Sequence, residues 1–291
     1  MPDPPTPTVW RHWLAAELRR LREAAGKTLD EVADVLECSR AKVSRIELGQ
    51  VRAHPREVEA MLAFYGVGPE EREELVELAR AARRKGWWHE FRDLDQDGLK
   101  QVAFVDNETA ATSIRTYQAV VVFGLFQTKD YARAVLRAVR LDLPEQEVER
   151  HVELRMQRQK LLDSEQLPRL WVVLDEAALR RPIGGRDTMR NQLNRLAEVA
   201  DHPKVKLQAL PYEAGAHAGL DGAFMILGFS ESGFGDVTDK DVISLENTLS
   251  DQYLREPTAL KRYIALFDAI ARRAYGTERT IEFIGEVSKD L

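Results

Sequence analysis

Thr28-Leu-Asp-Glu-Val-Ala-Asp-Val-Leu-Glu-Cys-Ser-Arg-Ala-Lys-Val-Ser-Arg-Ile-Glu-Leu-Gly-Gln50 is the stretch from which the fold of the N-terminal part can be read. Thr28 with Glu31 three residues on is a capping box, each side chain satisfying a backbone N–H of the first turn. The helix so opened carries Leu29, Val32, Ala33 and Leu36 on one face. After a short break at Glu37-Cys38, Ser39 stands as the N-cap of a second short helix over 40–48, and Gly49 ends it. Val43 and Ile46 supply its buried side. That leaves Arg40, Ala41, Ser44 and Arg45 facing outward, with Lys42 to one side. Upstream, Trp13, Leu14, Leu18 and Leu21 recur at helical spacing, with Arg11, Arg19, Arg20 and Arg22 on other faces. Downstream, Pro55 starts a helix whose Val58, Met61, Leu62 and Tyr65 close the core. Glu47 is expected to pair with a nearby Arg or a backbone N–H, and Cys38 to be a small turn residue.

Two short helices joined by a tight turn, with small Ala33 where they cross, have helix-turn-helix spacing. The string closely resembles the phage-repressor-like (Cro/repressor, or XRE-type) helix-turn-helix family, including the Ser-Arg-Ile-Glu-x-Gly close of the recognition helix. A recognition helix enters the major groove by its N-terminal part. The resemblance therefore implies base reading by Arg40, Ala41, Ser44 and Arg45, where an arginine bidentate to guanine gives about 1–3 kcal/mol of discrimination. Thr28, Ser39, Lys42 and Arg52 lie near the two helix N-termini and the following loop, where phosphates are bound. Members of the family often carry Gln just inside the second helix, touching phosphate; this chain has Leu29 there. An outward cationic face is by itself ordinary. The conjunction of two caps, a small crossing residue, a short turn and a basic face in register is what points to double-stranded DNA.

The whole chain, 291 residues with a net charge of −6, would seem a poor partner for nucleic acid. The total hides an asymmetry. From Trp10 to Arg56 ten Lys/Arg face seven acids, and from Arg40 to Arg56 only Glu47 opposes five cations. Phosphate attraction is short-ranged at physiological salt, so the local stretch governs. A hydrophobic fraction of 44% with 31% charged residues is a globular composition. No apolar run approaches the roughly 20 residues of a membrane span, and the first residues lack an export signal. A cytoplasmic, nucleoid-associated protein is expected. The single cysteine excludes a disulfide framework and a multi-cysteine zinc site. Neither a metal nor a cofactor is expected.

The N-terminal domain is drawn over 1–68, and 69–101 as a linker helix and loop. The helix spans 70–84 and ends at Gly86. Trp87-Trp88 would dock a domain or enter an interface. Asp93-Leu-Asp95-Gln-Asp97-Gly98 matches the opening of a calcium loop, but the twelfth position, which needs a bidentate Glu, holds Phe104; it is read as a polar loop.

The remainder, 102–291, alternates helical and strand patterns. Helices are expected over 106–117, 129–138, 144–163, 187–200, 257–275 and 280–289. Strands are expected over 170–174, 205–210, 223–229 and 242–246, the last two as a hairpin or meander. The run 120–126 is apolar throughout. The result is an α+β domain with a small mixed sheet, and α+β for the chain as a whole. The segments 105–118, 124–138, 153–162, 171–185, 192–229 and 263–275 resemble a long C-terminal domain of unknown function. That domain is found behind XRE-type helix-turn-helices in actinomycete regulators of sporulation and antibiotic production. Its members read Val-Pro-Gly-Leu-Leu-Gln-Thr where this chain has Val122-Phe-Gly-Leu-Phe-Gln-Thr128. The resemblance implies a transcription factor whose gene often neighbours one for a small partner protein.

Asp175, Glu176, Arg180, Arg181, His217, Asp221 and Glu246 are the residues that could carry a reaction. No nucleophile elbow, phosphate loop or metal motif accompanies them, and no enzyme is expected. Asp175 reads as the N-cap of a short helix over 176–180 and His217 as a loop hydrogen-bonder. Tyr212, His217 and Phe224 could line a pocket for a partner or a ligand. Regulators of this type read two half-sites as dimers, and Ile264, Leu266, Phe267 and Ile270 are interface residues or simple packing on the sheet. Three functions remain: a dimeric regulator with partner input, one with a small-molecule effector, and a DNA-tethered enzyme.

Overall fold

The computed structural model describes residues 7–81, 87–94, 100–141, 143–229, 234, 241–245 and 252–291. Gly86, the Asp95–Gly98 stretch, the loop 230–240 except Phe234, and Glu246 lie outside the described residues, as does the side chain of Trp88. Contacts divide the chain into two units, Met1–Glu90 with Val102–Ala110, and Phe91–Gln101 with Ala111–Leu291.

The first unit is helical: α1 (Pro7–Ala24), α2 (Leu29–Val35), α3 (Arg40–Glu47), α4 (Pro55–Tyr65) and α5 (Pro69–Ala81), with most of α6 (Lys100–Ala110). Leu14 and Leu18 of α1, Val32 and Ala33 of α2, Val43 and Ile46 of α3, and Val58, Met61 and Leu62 of α4 share one core. Pro55 at the first position and Gly66 in the left-handed region (φ 80°) bound α4. Val76 and Ala79 of α5 are buried in the same core. The apolar stripe of α5, the helix expected as a linker, is thus covered by this core.

Across this core runs an ion pair. Arg22 donates from Nε and Nη2 to the two carboxylate oxygens of Glu47 at 2.8 and 3.0 Å, and from Nη1 to the Lys27 carbonyl at 2.9 Å. The Glu47 side chain is 4% exposed and that of Arg22 12%. Removing one partner of such a pair leaves a buried charge alone.

The second unit carries β1 (Ser113–Gln118), β2 (Arg169–Asp175), β3 (Val205–Leu210), β4 (Phe224–Gly228), β5 (Val242–Leu245) and β6 (Gln252–Leu254) in one sheet of order β3-β2-β1-β4-β5-β6. β1, β2 and β3 pair in parallel; β4, β5 and β6 continue antiparallel from β1. α7 (Lys129–Val139) and α8 (Glu145–Gln159) connect β1 to β2. α9 (Glu176–Arg180) and α10 (Arg186–Ala200) connect β2 to β3. α11 (Pro257–Ala271) and α12 (Thr277–Asp290) finish the chain.

The helix expected over 106–117 is a correction. α6 stops at Ala110, and Ser113–Gln118 is a strand between β2 and β4. Ile114, Thr116 and Tyr117 favour a pleated surface, and a strand with partners on both sides satisfies every backbone group. The apolar run after it is neither helix nor strand over most of its length; Gly124–Phe126 is a single 3-10 turn. Side chains satisfy its buried backbone, as such groups require. Gln127 Nε2 donates to the Val122 carbonyl (2.6 Å), Gln159 Nε2 to that of Gly124 (3.0 Å) and Gln192 Nε2 to that of Phe126 (2.8 Å). Phe123, in place of the family's proline, takes φ −53° and packs edge-on against Phe126. The turn survives because φ near −60° is open to any residue.

Phe267 and Ile270 of α11 are fully buried against Tyr117, Val173, Phe224 and Ile226, with Ile264 and Leu266 partly buried beside them. The apolar stripe considered for an interface is thus used within the unit. Tyr131 is buried, its hydroxyl accepting from the Val122 N–H at 3.1 Å, and burial pushes its pKa up to about 12.

Two outcomes follow from this packing. Glu47→Gln is expected to cost the first unit about 3 kcal/mol or more, read as faster hydrogen exchange of the α1 and α3 amides with the sheet amides unchanged. For Tyr131 the folded pKa lies above the unfolded value of about 10, so its contribution is complete below pH ~10 and is lost as pH rises toward its folded value. Alkaline unfolding is therefore expected to set in above pH ~10 and to move upward in Tyr131→Phe relative to a neutral-pH baseline, measured by circular dichroism.

Candidate nucleic-acid interface

Caps on α2 and α3 set the geometry of the outward face. Thr28 Oγ1 accepts from the Glu31 N–H at 3.2 Å and donates to the Glu31 carboxylate at 2.9 Å. Glu31 Oε2 accepts in turn from the Thr28 N–H at 2.8 Å. These bonds, the backbone one first, hold the Glu31 carboxyl below the usual carboxylate range. Ser39 Oγ accepts from the Lys42 N–H at 3.3 Å. Between the helices Glu37 takes φ 49°, a left-handed conformation that costs a non-glycine residue roughly 1 kcal/mol. It lies in the turn between α2 and α3, which pack Ala33, Val43 and Ile46 into one core.

With Val43 and Ile46 buried, Arg40, Ala41 and Arg45 are exposed and Ser44 is half-buried. The four therefore share the solvent face of α3. Arg45 Nε donates to the Ala41 carbonyl at 3.4 Å, lying along its own helix. Arg40 Nε stands 3.5 Å from Asp30 Oδ2 on α2.

The residues set out for phosphate differ from one another. Ser39 is exposed at the start of α3. Thr28 is exposed too, but its hydroxyl is engaged with Glu31 as both donor and acceptor, and that carboxylate occupies the helix N-terminus. Lys42 Nζ donates to Glu57 Oε1 at 2.5 Å, which raises the lysine pKa and turns the side chain toward α4. Arg52 is half-buried beside Arg11, Ile46 and Val51. Leu29, where the family often has Gln, packs against the core.

Glu57 was not legible as part of this face. It is the third residue of α4, whose N-cap is His54: Glu57 Oε2 accepts from the His54 N–H at 2.7 Å, and His54 Nδ1 accepts from the Arg56 N–H at 3.2 Å. Burial raises the Glu57 pKa, but the bonds from Lys42 and from the His54 backbone outweigh it, and the carboxyl is held low. A capping box opened by His rather than Ser or Thr carries little sequence signal.

In the second unit, Asp175 is the N-cap of α9, accepting from the Ala177 N–H at 2.9 Å. Its Oδ2 accepts from the Tyr117 hydroxyl at 3.0 Å and lies 3.8 Å from His217 Nε2. Burial first and the Asp175 charge second raise the Tyr117 pKa. His217 Nδ1 accepts from the Gly219 N–H at 3.1 Å, a hydrogen bond within its own loop. Glu176 is buried, bound to Arg180 Nε at 2.5 Å and to the Tyr212 N–H at 2.7 Å. His217 and Phe224 both flank the Tyr117 ring. Tyr212 does not join them: it is 59% exposed, whereas Phe224 is 5% exposed in the core under α11. The three residues expected to line a pocket are thus split between surface and core.

These two units have counterparts among known families. Residues 13–75 match a helix-turn-helix domain, so the first unit is a helix-turn-helix DNA-binding domain. Residues 101–286 match the domain of unknown function DUF5753, and the chain belongs to that family. No curated protein and no solved structure matches the chain. No described helix is long and apolar enough to cross a membrane.

Because Gln also completes a capping box, Glu57→Gln is expected to keep α4 intact while releasing Lys42. Duplex binding followed by fluorescence anisotropy is expected to tighten in that variant, because Lys42 no longer has to leave Glu57, and across a salt series Lys42→Ala is expected to flatten the slope of log K against log salt by about 0.9 per subunit, one phosphate's worth. An unchanged slope would show that Lys42 does not reach the backbone.

Proposed function

We propose that this chain is a sequence-specific transcriptional regulator of the Cro/repressor (XRE) type, of the group known from actinomycetes. It binds operator DNA as a homodimer in the cytoplasm, at the nucleoid. The observation that carries the reading is the division of α3: Val43 and Ile46 are buried while Arg40, Ala41, Ser44 and Arg45 form its outer face. Such a face, opened by an N-cap and followed by a basic loop, fits the major groove, with Arg40 and Arg45 reading guanine and Ser39, Lys42 and Arg52 on phosphates. Two copies would be needed, since one recognition helix spans only a few base pairs.

Charge supports a division of labour. Residues 1–86 hold 15 cations and 15 acids, and the other 27 cations and 33 acids carry the whole −6. An acidic C-terminal domain is held off the duplex by repulsion. We assign it dimerisation and the docking of a small partner protein, and no reaction: the polar atoms around Asp175 are spent on caps and loop bonds.

The test is binding to the promoter of the chain's own operon. Arg40→Ala with Arg45→Ala is expected to abolish specific binding, by about 2–6 kcal/mol per half-site summed over its two contacts, with weak salt-dependent binding retained. Specific binding undiminished in that variant would defeat the reading.

A further inference from the structure

The outer face of α3 is not uniformly basic in its surroundings. Asp30, the second residue of α2, reaches across the turn to Arg40, the first residue of α3, with Oδ2 3.5 Å from Nε. Both side chains are open to solvent, 74% and 65% exposed. A pair so exposed adds almost nothing to stability. On a face that meets DNA a carboxylate is also a liability, since it repels phosphate. Its cost calls for a return, and the guanidinium geometry supplies one. Arginine offers its donors in a planar fork. A carboxylate nearest the Nε edge leaves the two terminal nitrogens available, and these are the donors of a bidentate contact to guanine O6 and N7. When the face docks and water leaves, the Asp30–Arg40 attraction strengthens, and an arginine drawn to one side by that charge loses less side-chain freedom on binding. Arg45, by contrast, leans on the Ala41 carbonyl of its own helix.

We propose that Asp30 is a positioning residue that sets Arg40 for guanine, so that base selectivity at one operator position depends on an acid that itself touches no base. This rests on the reading of α3 as the recognition helix. Asp30 belongs to no cap bond and no core contact of α2, and Asp30→Asn keeps its shape, so the variants are expected to fold as the parent does.

The experiment uses the full chain on an operator chosen by selection from randomised duplexes, with every base pair then changed singly. The position read by Arg40 is the one at which Arg40→Ala loses discrimination. Asp30→Asn is expected to lose about tenfold of that discrimination, to leave the other positions unchanged, and to bind random duplex more tightly through loss of a negative charge. In the Arg40→Ala background Asp30→Asn is expected to change base preference nowhere. Asp30→Asn that tightens all duplexes alike, with preference intact, would overturn the proposal and leave Asp30 a plain surface charge. A change of preference that persists without Arg40 would also overturn it, making Asp30 a reader of its own. If Arg40→Ala matches the parent at every position, the recognition-helix reading itself falls, which the Asp30 variants alone could not produce.

Discussion

The buried pair of Arg22 and Glu47 is the constraint on which the first unit rests. Glu47 closes α3 and Arg22 lies near the end of α1, so two bonds of 2.8 and 3.0 Å tie α3 to the longest described helix of the unit. The third bond, from Arg22 to the Lys27 carbonyl, ties the turn before α2 to the same guanidinium. A hydrophobic contact in this place would give comparable stability. It would not fix rotation of α3 about its axis, and rotation decides which of its residues face solvent. Two charges that must stay bonded because they are buried impose one angle.

A second layer of charge lies on the surface. Glu57 accepts a hydrogen bond from Lys42 of α3, and Asp30 stands 3.5 Å from Arg40, in the free protein. Such pairs weigh little in stability but much in what a docking partner must displace or can use. Lys42 has to leave Glu57 to meet a phosphate. Arg40 can keep Asp30 while its terminal nitrogens turn outward. The same kind of contact thus has opposite consequences, set by which nitrogen the carboxylate takes.

In the second unit the polar groups serve packing. Three glutamines close the backbone of 122–128, and Asp175 unites a helix cap with the Tyr117 hydroxyl. Glycine is needed at Gly219 because a side-chain carbon there would overlap the Tyr117 ring. The rings of Phe224 and Phe267 fill the sheet face beneath α11. Asp175, Glu176 and His217, which looked chemically interesting in sequence, are engaged in caps, ion pairs and loop bonds of this packing.

Much of the first unit was legible before folding was considered. Thr28, Glu31, Ser39 and Gly49 announce helix ends through local bonds, and Val43 and Ile46 announce a face through period; these act over three or four residues, which a sequence displays directly. Asp175 as a cap and His217 as a loop acceptor were legible for the same reason. The strand at Ser113–Gln118 was not, because a run that follows a helix without a breaker takes its state from the strands beside it, 56 to 115 residues away. Likewise α5 as a core wall, Lys42 turned to Glu57, and Phe224 sealed from Tyr212 depend on which surfaces meet. The sequence by itself determined the helix-turn-helix, the inward and outward residues of its second helix, and the α+β class. Tertiary structure alone decided which acid holds which cation and which aromatic is buried, because those contacts are chosen by distance in space.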